Sequence, residues 1–85
     1  MQNMNSLLTY DDSIRGLFDE DTQIILDTLS KSFPLVQIEG DNDAEEQNRW
    51  FVQIRKASDP MPVGFYGSSV IEAATRLATA LKLRD

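Results

Sequence analysis

The sequence predicts an α+β two-layer sandwich in one small domain over residues 1–85. N-terminal helices, a three-stranded antiparallel meander and a C-terminal helix follow in the order α-β-β-β-α. Three observations predict this. In Arg49 to Lys56, Trp50, Val52 and Ile54 recur at every second residue, the period of a strand face. Ser69 to Leu83 carries apolar residues at helical spacing behind a capping signal. Two polar loops, Gly40 to Asn48 and the turn at Ser58-Asp59-Pro60, join neighbouring strands and favour hairpins. Helices before and after such a sheet are placed to bury its apolar face.

Taken in order, residues 1–8 read as a loose N-terminus from which Leu7 and Leu8 can touch the domain. Thr9 or Asp11 caps a short helix carrying Ile14, Leu17 and Phe18, which Gly16 weakens. Asp19-Glu20-Asp21 opens a second helix running to about Ser32, with its acids at the positive helix end. Ile25, Leu26, Leu29 and Phe33 share one stripe, and Ile24 falls opposite with Thr28 and Lys31. A single helix over 12–32 is the alternative, but it would put Asp21 in the apolar seam. Pro34 ends the helix, because the residue before proline avoids helical backbone.

Leu35 to Glu39 reads as a strand, and Gly40 to Asn48 as a polar loop holding Asp41, Asp43, Glu45 and Glu46. In the strand Arg49 to Lys56, Trp50, Val52 and Ile54 share one face, and Phe51, Gln53 and Arg55 the other. Met61 to Tyr66 is a short third strand, placed at an edge because Pro62 cannot donate to a ladder. In the last helix Ser69 and Glu72 form a capping box. Val70, Ala74, Leu77 and Leu81 centre its stripe, flanked by Ile71 and Ala78, while Lys82 and Arg84 complement its negative end. About 15 residues span roughly 22 Å, enough to cover a strand of ~23 Å.

Composition sets the limits on function. The chain has 85 residues, 41% hydrophobic and 26% charged, which is ordinary globular usage rather than disorder. With no Cys, disulfides, thiolate nucleophiles and Cys-based zinc sites are excluded. With no His, the commonest general base and metal ligand is missing. No run approaches the ~20 apolar residues of a membrane span. Met1 to Asn5 lacks the charged and apolar regions of a secretory signal, so the expectation is a cytoplasmic monomer or small oligomer.

No catalytic, cofactor or metal residues are predicted. Ser68 and Ser69 follow Gly67 without the second glycine or the His of a nucleophile elbow, and read as a helix cap and its neighbour. Asp41, Asp43 and Glu45 open like a calcium loop, but Glu46 stands where Gly is required and Val52 where a bidentate Glu belongs. Carboxylate pairs in that loop have no apolar wall to raise a pKa for acid–base work.

Charge is the informative feature. Residues 1–48 hold eleven acids and two bases, a net −9. Residues 49–85 hold three acids and six bases, a net +3, which brings the chain to −6. Asp11, Asp12, Asp19, Glu20, Asp21, Glu39, Asp41, Asp43, Glu45 and Glu46 account for ten of the fourteen acids. Such asymmetry points either to a solvated face or to a basic partner.

Two resemblances follow from particular residues. Helix, three antiparallel strands and helix is the layout of double-stranded-RNA-binding domains, and Gly67-Ser68-Ser69-Val70-Ile71-Glu72-Ala73-Ala74 resembles the loop into their last helix. That family grips phosphate with lysines there; Val70, Ile71 and Ala74 stand at the matching positions, so the resemblance lacks its basic residues. Arg49-Trp50-Phe51-Val52 and the segment Ser69 to Arg84, with Ala73-Ala74, Ala78 and Ala80, are similar to the C-terminal ~35 residues of small phage proteins with an ABA sandwich domain. That resemblance implies a phage or prophage accessory protein.

The expected function is therefore non-enzymatic binding of another protein, one with a basic surface, by a phage or mobile-element antagonist or regulator of host machinery. In size and charge the chain resembles anti-CRISPR proteins whose acids imitate nucleic-acid phosphates. The candidate acidic contacts are Asp19, Glu20, Asp21, Asp41, Asp43, Glu45 and Glu46. If Trp50, Val52 and Ile54 face the helices, Phe51 and Leu35 lie on the open face beside Gln37, Gln53 and Arg55, and Tyr66 joins them if Val63 and Phe65 point inward; Phe51, Gln53, Arg55 and Tyr66 are then the second contact set. If the helices cover opposite faces, these residues are core. The alternatives are a homodimeric adaptor or subunit of a host complex, and a small nucleic-acid module using Arg49, Arg55 and Lys56, which the net charge disfavours.

Overall fold

The computed structural model describes residues 6–41, 43–56 and 59–82. Strand β1 (Ser6–Thr9) is followed by helices α1 (Asp12–Arg15) and α2 (Glu20–Ser32), then strands β2 (Leu35–Gly40), β3 (Trp50–Lys56) and β4 (Asp59–Gly67), and helix α3 (Val70–Ala80). A 3-10 turn at Glu46–Asn48 interrupts the β2–β3 loop. The class is α+β, as expected, but the sheet has four strands rather than three. All pairs are antiparallel, in the spatial order β1-β2-β3-β4. The added strand lies in the segment expected to be loose: Leu7 pairs with Glu39 and Leu8 with Ile38.

Each helix starts where the sequence supplies an oxygen for its free N–H groups. The Asp19 carboxylate accepts from Thr22 N at 3.0 Å, and the Ser69 hydroxyl accepts from Glu72 N at 3.2 Å. The Glu72 carboxylate reaches back one residue further than a capping box requires, accepting from Ser68 N at 2.6 Å and the Ser68 hydroxyl at 3.0 Å. The ends differ more from expectation. α1 is a single turn closed by Gly16, so Leu17 is left 72% exposed instead of joining the core. α3 stops at Ala80 rather than near Leu83, because Lys82 takes a left-handed backbone with φ of 59°. Its eleven residues span about 16 Å.

Both long helices pack on one face of the sheet. The core consists of Val36 and Ile38 from β2, Val52 and Ile54 from β3, Leu26 and Leu29 from α2, and Ala73, Ala74, Leu77 and Ala78 from α3, with Tyr10 at its border. Val63 and Phe65 of β4 lean against it half-buried. The α3 stripe is rotated toward Ala73, which is fully buried, and away from Val70, which is only partly covered.

α3 approaches β4 closely at Gly67. A Cβ there would lie 2.7 Å from the Ala73 backbone N and 3.1 Å from its Cα. Backbone cannot yield as a flexible side chain does, so the first turn of α3 is seated directly on glycine. Gly67→Ala is expected to lower stability by about 1–3 kcal/mol, the usual cost of overpacking. Urea unfolding of the two proteins measures it, and an unchanged midpoint would show that α3 tolerates displacement here.

Candidate functional site

The uncovered face of the sheet carries the most distinctive surface. Alternation places Leu7 and Thr9 of β1, Leu35, Gln37 and Glu39 of β2, Phe51, Gln53 and Arg55 of β3, and Pro62, Gly64 and Tyr66 of β4 on this side. The register aligns them in rows. Leu7, Glu39, Phe51 and Tyr66 form the first, Thr9, Gln37, Gln53 and Gly64 the second, and Leu35, Arg55 and Pro62 the third.

The first row holds an aromatic pair. Phe51 and Tyr66 are direct cross-strand partners with ring centroids 4.6 Å apart and planes tilted by 40°. Phe51 also leans diagonally over β4, since a Cβ on Gly64 would come within 2.5 Å of its Cζ. Glycine at 64 is what lets the ring lie flat on the sheet. Phe51 is thereby half-buried, whereas Tyr66 remains 51% exposed on top of it. In the second row Gln53 Nε2 donates to Gln37 Oε1 at 3.0 Å, so the polar strip beside the rings is pinned to its neighbour. Arg55 is exposed in the third row. The structure thus brings together Phe51, Gln53, Arg55 and Tyr66, and adds Leu7, which is 59% exposed. The sequence placed Leu7 only in a loose N-terminus touching the domain, because four residues, Ser6 to Thr9, are too few to show a strand period.

The predicted acids fall on two separate elements. Asp19 is the N-cap of α2, and hydrogen bonds from the Thr22 hydroxyl and N–H hold its carboxyl below the usual carboxylate range. Glu20 and Asp21 occupy the exposed first turn of that helix. Asp41 Oδ1 accepts from Asp43 N at 3.0 Å, closing a local turn in the β2–β3 loop. Asp43, Glu45 and Glu46 are exposed there, and Glu46 begins the 3-10 turn. Asp19 and Asp41 therefore have structural duties, while Glu20, Asp21, Asp43, Glu45 and Glu46 present their carboxylates to solvent.

A further acid, Asp27 of α2, was not singled out by pattern. It accepts from the Tyr10 hydroxyl at 2.6 Å and from Arg15 Nη2 at 2.8 Å. Arg15 and then Tyr10 hold its carboxyl below the usual range. Burial, reinforced by Asp27, pushes the Tyr10 hydroxyl up from 10.0 to about 12. Because the folded value is the higher one, Tyr10 favours the folded state fully below pH 10, and that stabilisation is lost as pH rises through about 12. Asp27 acts in the opposite sense: its contribution is present above its unfolded value of 3.8 and is lost as pH falls through the lower folded value. The urea midpoint of the parent is expected to drop between pH 10 and 12 more steeply than that of Tyr10→Phe. Parallel curves would remove Tyr10 as the cause.

Among the described residues no three carboxylates converge as a metal site, and no helix is long and apolar enough to cross a membrane. A groove on α2 lined by Ile24, Asp27, Thr28 and Lys31 is shallow and open to solvent. Comparison with protein families, curated proteins and solved structures found no match for this chain.

Proposed function

We propose that this chain is a non-enzymatic binding protein that engages another protein through the open face of its sheet, with exposed acids meeting basic groups on the partner. The observation that carries the reading is the Phe51–Tyr66 pair: a large aromatic side chain half in solvent, tilted against a second ring, on a sheet face that no helix among the described residues covers. Aromatic anchors beside pinned amides and an arginine are the composition of protein-interaction surfaces. The net charge of −6 and the solvated acids at the start of α2 and in the β2–β3 loop favour a basic partner. They disfavour nucleic acid as a direct ligand, since phosphate would be repelled. The narrower reading is a phage or mobile-element antagonist whose carboxylates stand in for phosphates on a nucleic-acid-handling protein. Charge and size alone support it.

The test is affinity capture from bacterial lysate with the parent and with Tyr66→Ala as paired baits, both verified as folded by circular dichroism. A protein retained by the parent, lost with Tyr66→Ala and released by moderate salt supports the reading. Identical retention by the two baits removes the sheet face as the site.

A further inference from the structure

The two edges of the sheet are unequal. Tyr10 N donates to Val36 O at 2.8 Å, which fixes the phase of the β1–β2 ladder. Leu8, in step with Tyr10, is bonded to β2, and the N–H and C=O groups of Leu7 and Thr9 point outward. On the far side, Asp41 N donates to Arg49 O at 2.8 Å and sets the β2–β3 phase in the same way. Carried through the registers, this turns Pro62, Gly64 and Tyr66 to the outer edge of β4. That edge is blunted twice. Pro62 has no N–H to offer, and Tyr66 O is already taken by Arg76 Nη1 from α3 at 2.9 Å.

Strand β1 has neither device. Residues 1–10 contain no charged side chain and no proline, the residues that usually protect an edge. Its outward groups, one donor and one acceptor at Leu7 and the same at Thr9, are self-complementary. We infer that β1 pairs with β1 of a second copy, antiparallel about a two-fold axis at Leu8. Leu7 of each copy then exchanges both backbone bonds with Thr9 of the other, and the two Leu8 side chains meet directly on the helix-covered side. The exposed Leu7 side chains become diagonal neighbours on the open face, within reach of each other. The blunted β4 edge stops growth, so the assembly closes at two copies and one eight-stranded sheet.

This inference rests on the proposed open-face function in one respect: it sets two Phe51–Tyr66 patches on one continuous surface. The pairing itself does not depend on that function. A four-residue seam buries less than the ~1,000 Å² of a stable interface, so the dimer is concentration-dependent. Each copy carries −6, so raised salt strengthens self-pairing, the opposite of its effect on a basic partner.

Sedimentation equilibrium over a hundredfold range of concentration, at low and high salt, tests the pairing. The expected result is a monomer–dimer equilibrium that shifts toward dimer with salt. Leu7→Pro removes an outward N–H and no bond to β2, and is expected to weaken the dimer by roughly tenfold or more. Hydrogen exchange supplies the second measurement: the Leu7 and Thr9 amides gain protection with concentration, while Gly64 and Tyr66 do not. A monomer throughout, a dimer whose Leu7 and Thr9 amides still exchange freely, or a Leu7→Pro protein that dimerises like the parent overturns the inference. Identical partner capture by the parent and Tyr66→Ala, with this equilibrium intact, would reject the open-face function and leave the dimer standing.

Discussion

Leu77→Ala is expected to destabilise the protein by about 2–5 kcal/mol, enough to unfold a large share of a small domain at physiological temperature. Leu77 is fully buried in α3, in one core with Val52 and Ile54 of β3 and Leu26 and Leu29 of α2. Its neighbours on the helix are mostly alanines, too short to fill the space a truncated leucine would leave. The cavity therefore persists, and the upper part of the range applies. Leu81, expected to be equally buried, is only partly buried, packing against the core from just past the helix end, so Leu81→Ala should cost distinctly less. Urea unfolding of both variants measures the difference. Equal costs would mean that the core extends further along α3 than its burial shows.

Tyr66→Ala has the largest expected effect on function, a loss of about 2 kcal/mol or more in partner affinity, roughly thirtyfold in Kd. Its effect on stability should stay within about 1 kcal/mol, because the ring is 51% exposed and loses one cross-strand contact. That separation makes it a cleaner probe than Phe51→Ala, which also removes the ring packed over Gly64. The loss should appear as faster dissociation. Charge reversal at Glu45 and Glu46 should instead slow association and reduce its salt dependence, since exposed charges steer encounter more than they hold the complex. Surface plasmon resonance with the captured partner at two salt concentrations resolves the two rates. If both reversals are silent in a folded protein, the acids are solvated surface and the phosphate imitation is dismissed.

Where a signal was contained within one element, the sequence determined it. The Asp19 and Ser69 caps each depend on an oxygen three residues from the N–H it accepts, and α2 and α3 begin where those residues stand. The alternation in Trp50 to Lys56 set the two faces of β3, because a strand has only two. Which way Val63 and Phe65 turn, and with it the exposure of Tyr66, was left open by the sequence and decided by the pairing of β4 with β3.

Tertiary structure alone decided the rest, because the deciding contacts lie far apart in sequence. Ser6 to Thr9 becomes a strand only through a ladder to residues 37–40, a pairing that four residues cannot announce. Leu17 looks apolar and helical, yet the turn that would bury it ends at Gly16. Tyr10, Arg15 and Asp27 form one network because β1 and α1 deliver two of them to the third on α2. The choice between one covered face and two was decided by packing: α2 and α3 meet each other and share one core with Val36, Ile38, Val52 and Ile54. The sheet edges follow the same logic: Pro62 is legible as a blunted donor from its chemistry, whereas Arg76 on Tyr66 O, and the open β1 edge opposite, exist only once the strands are in register.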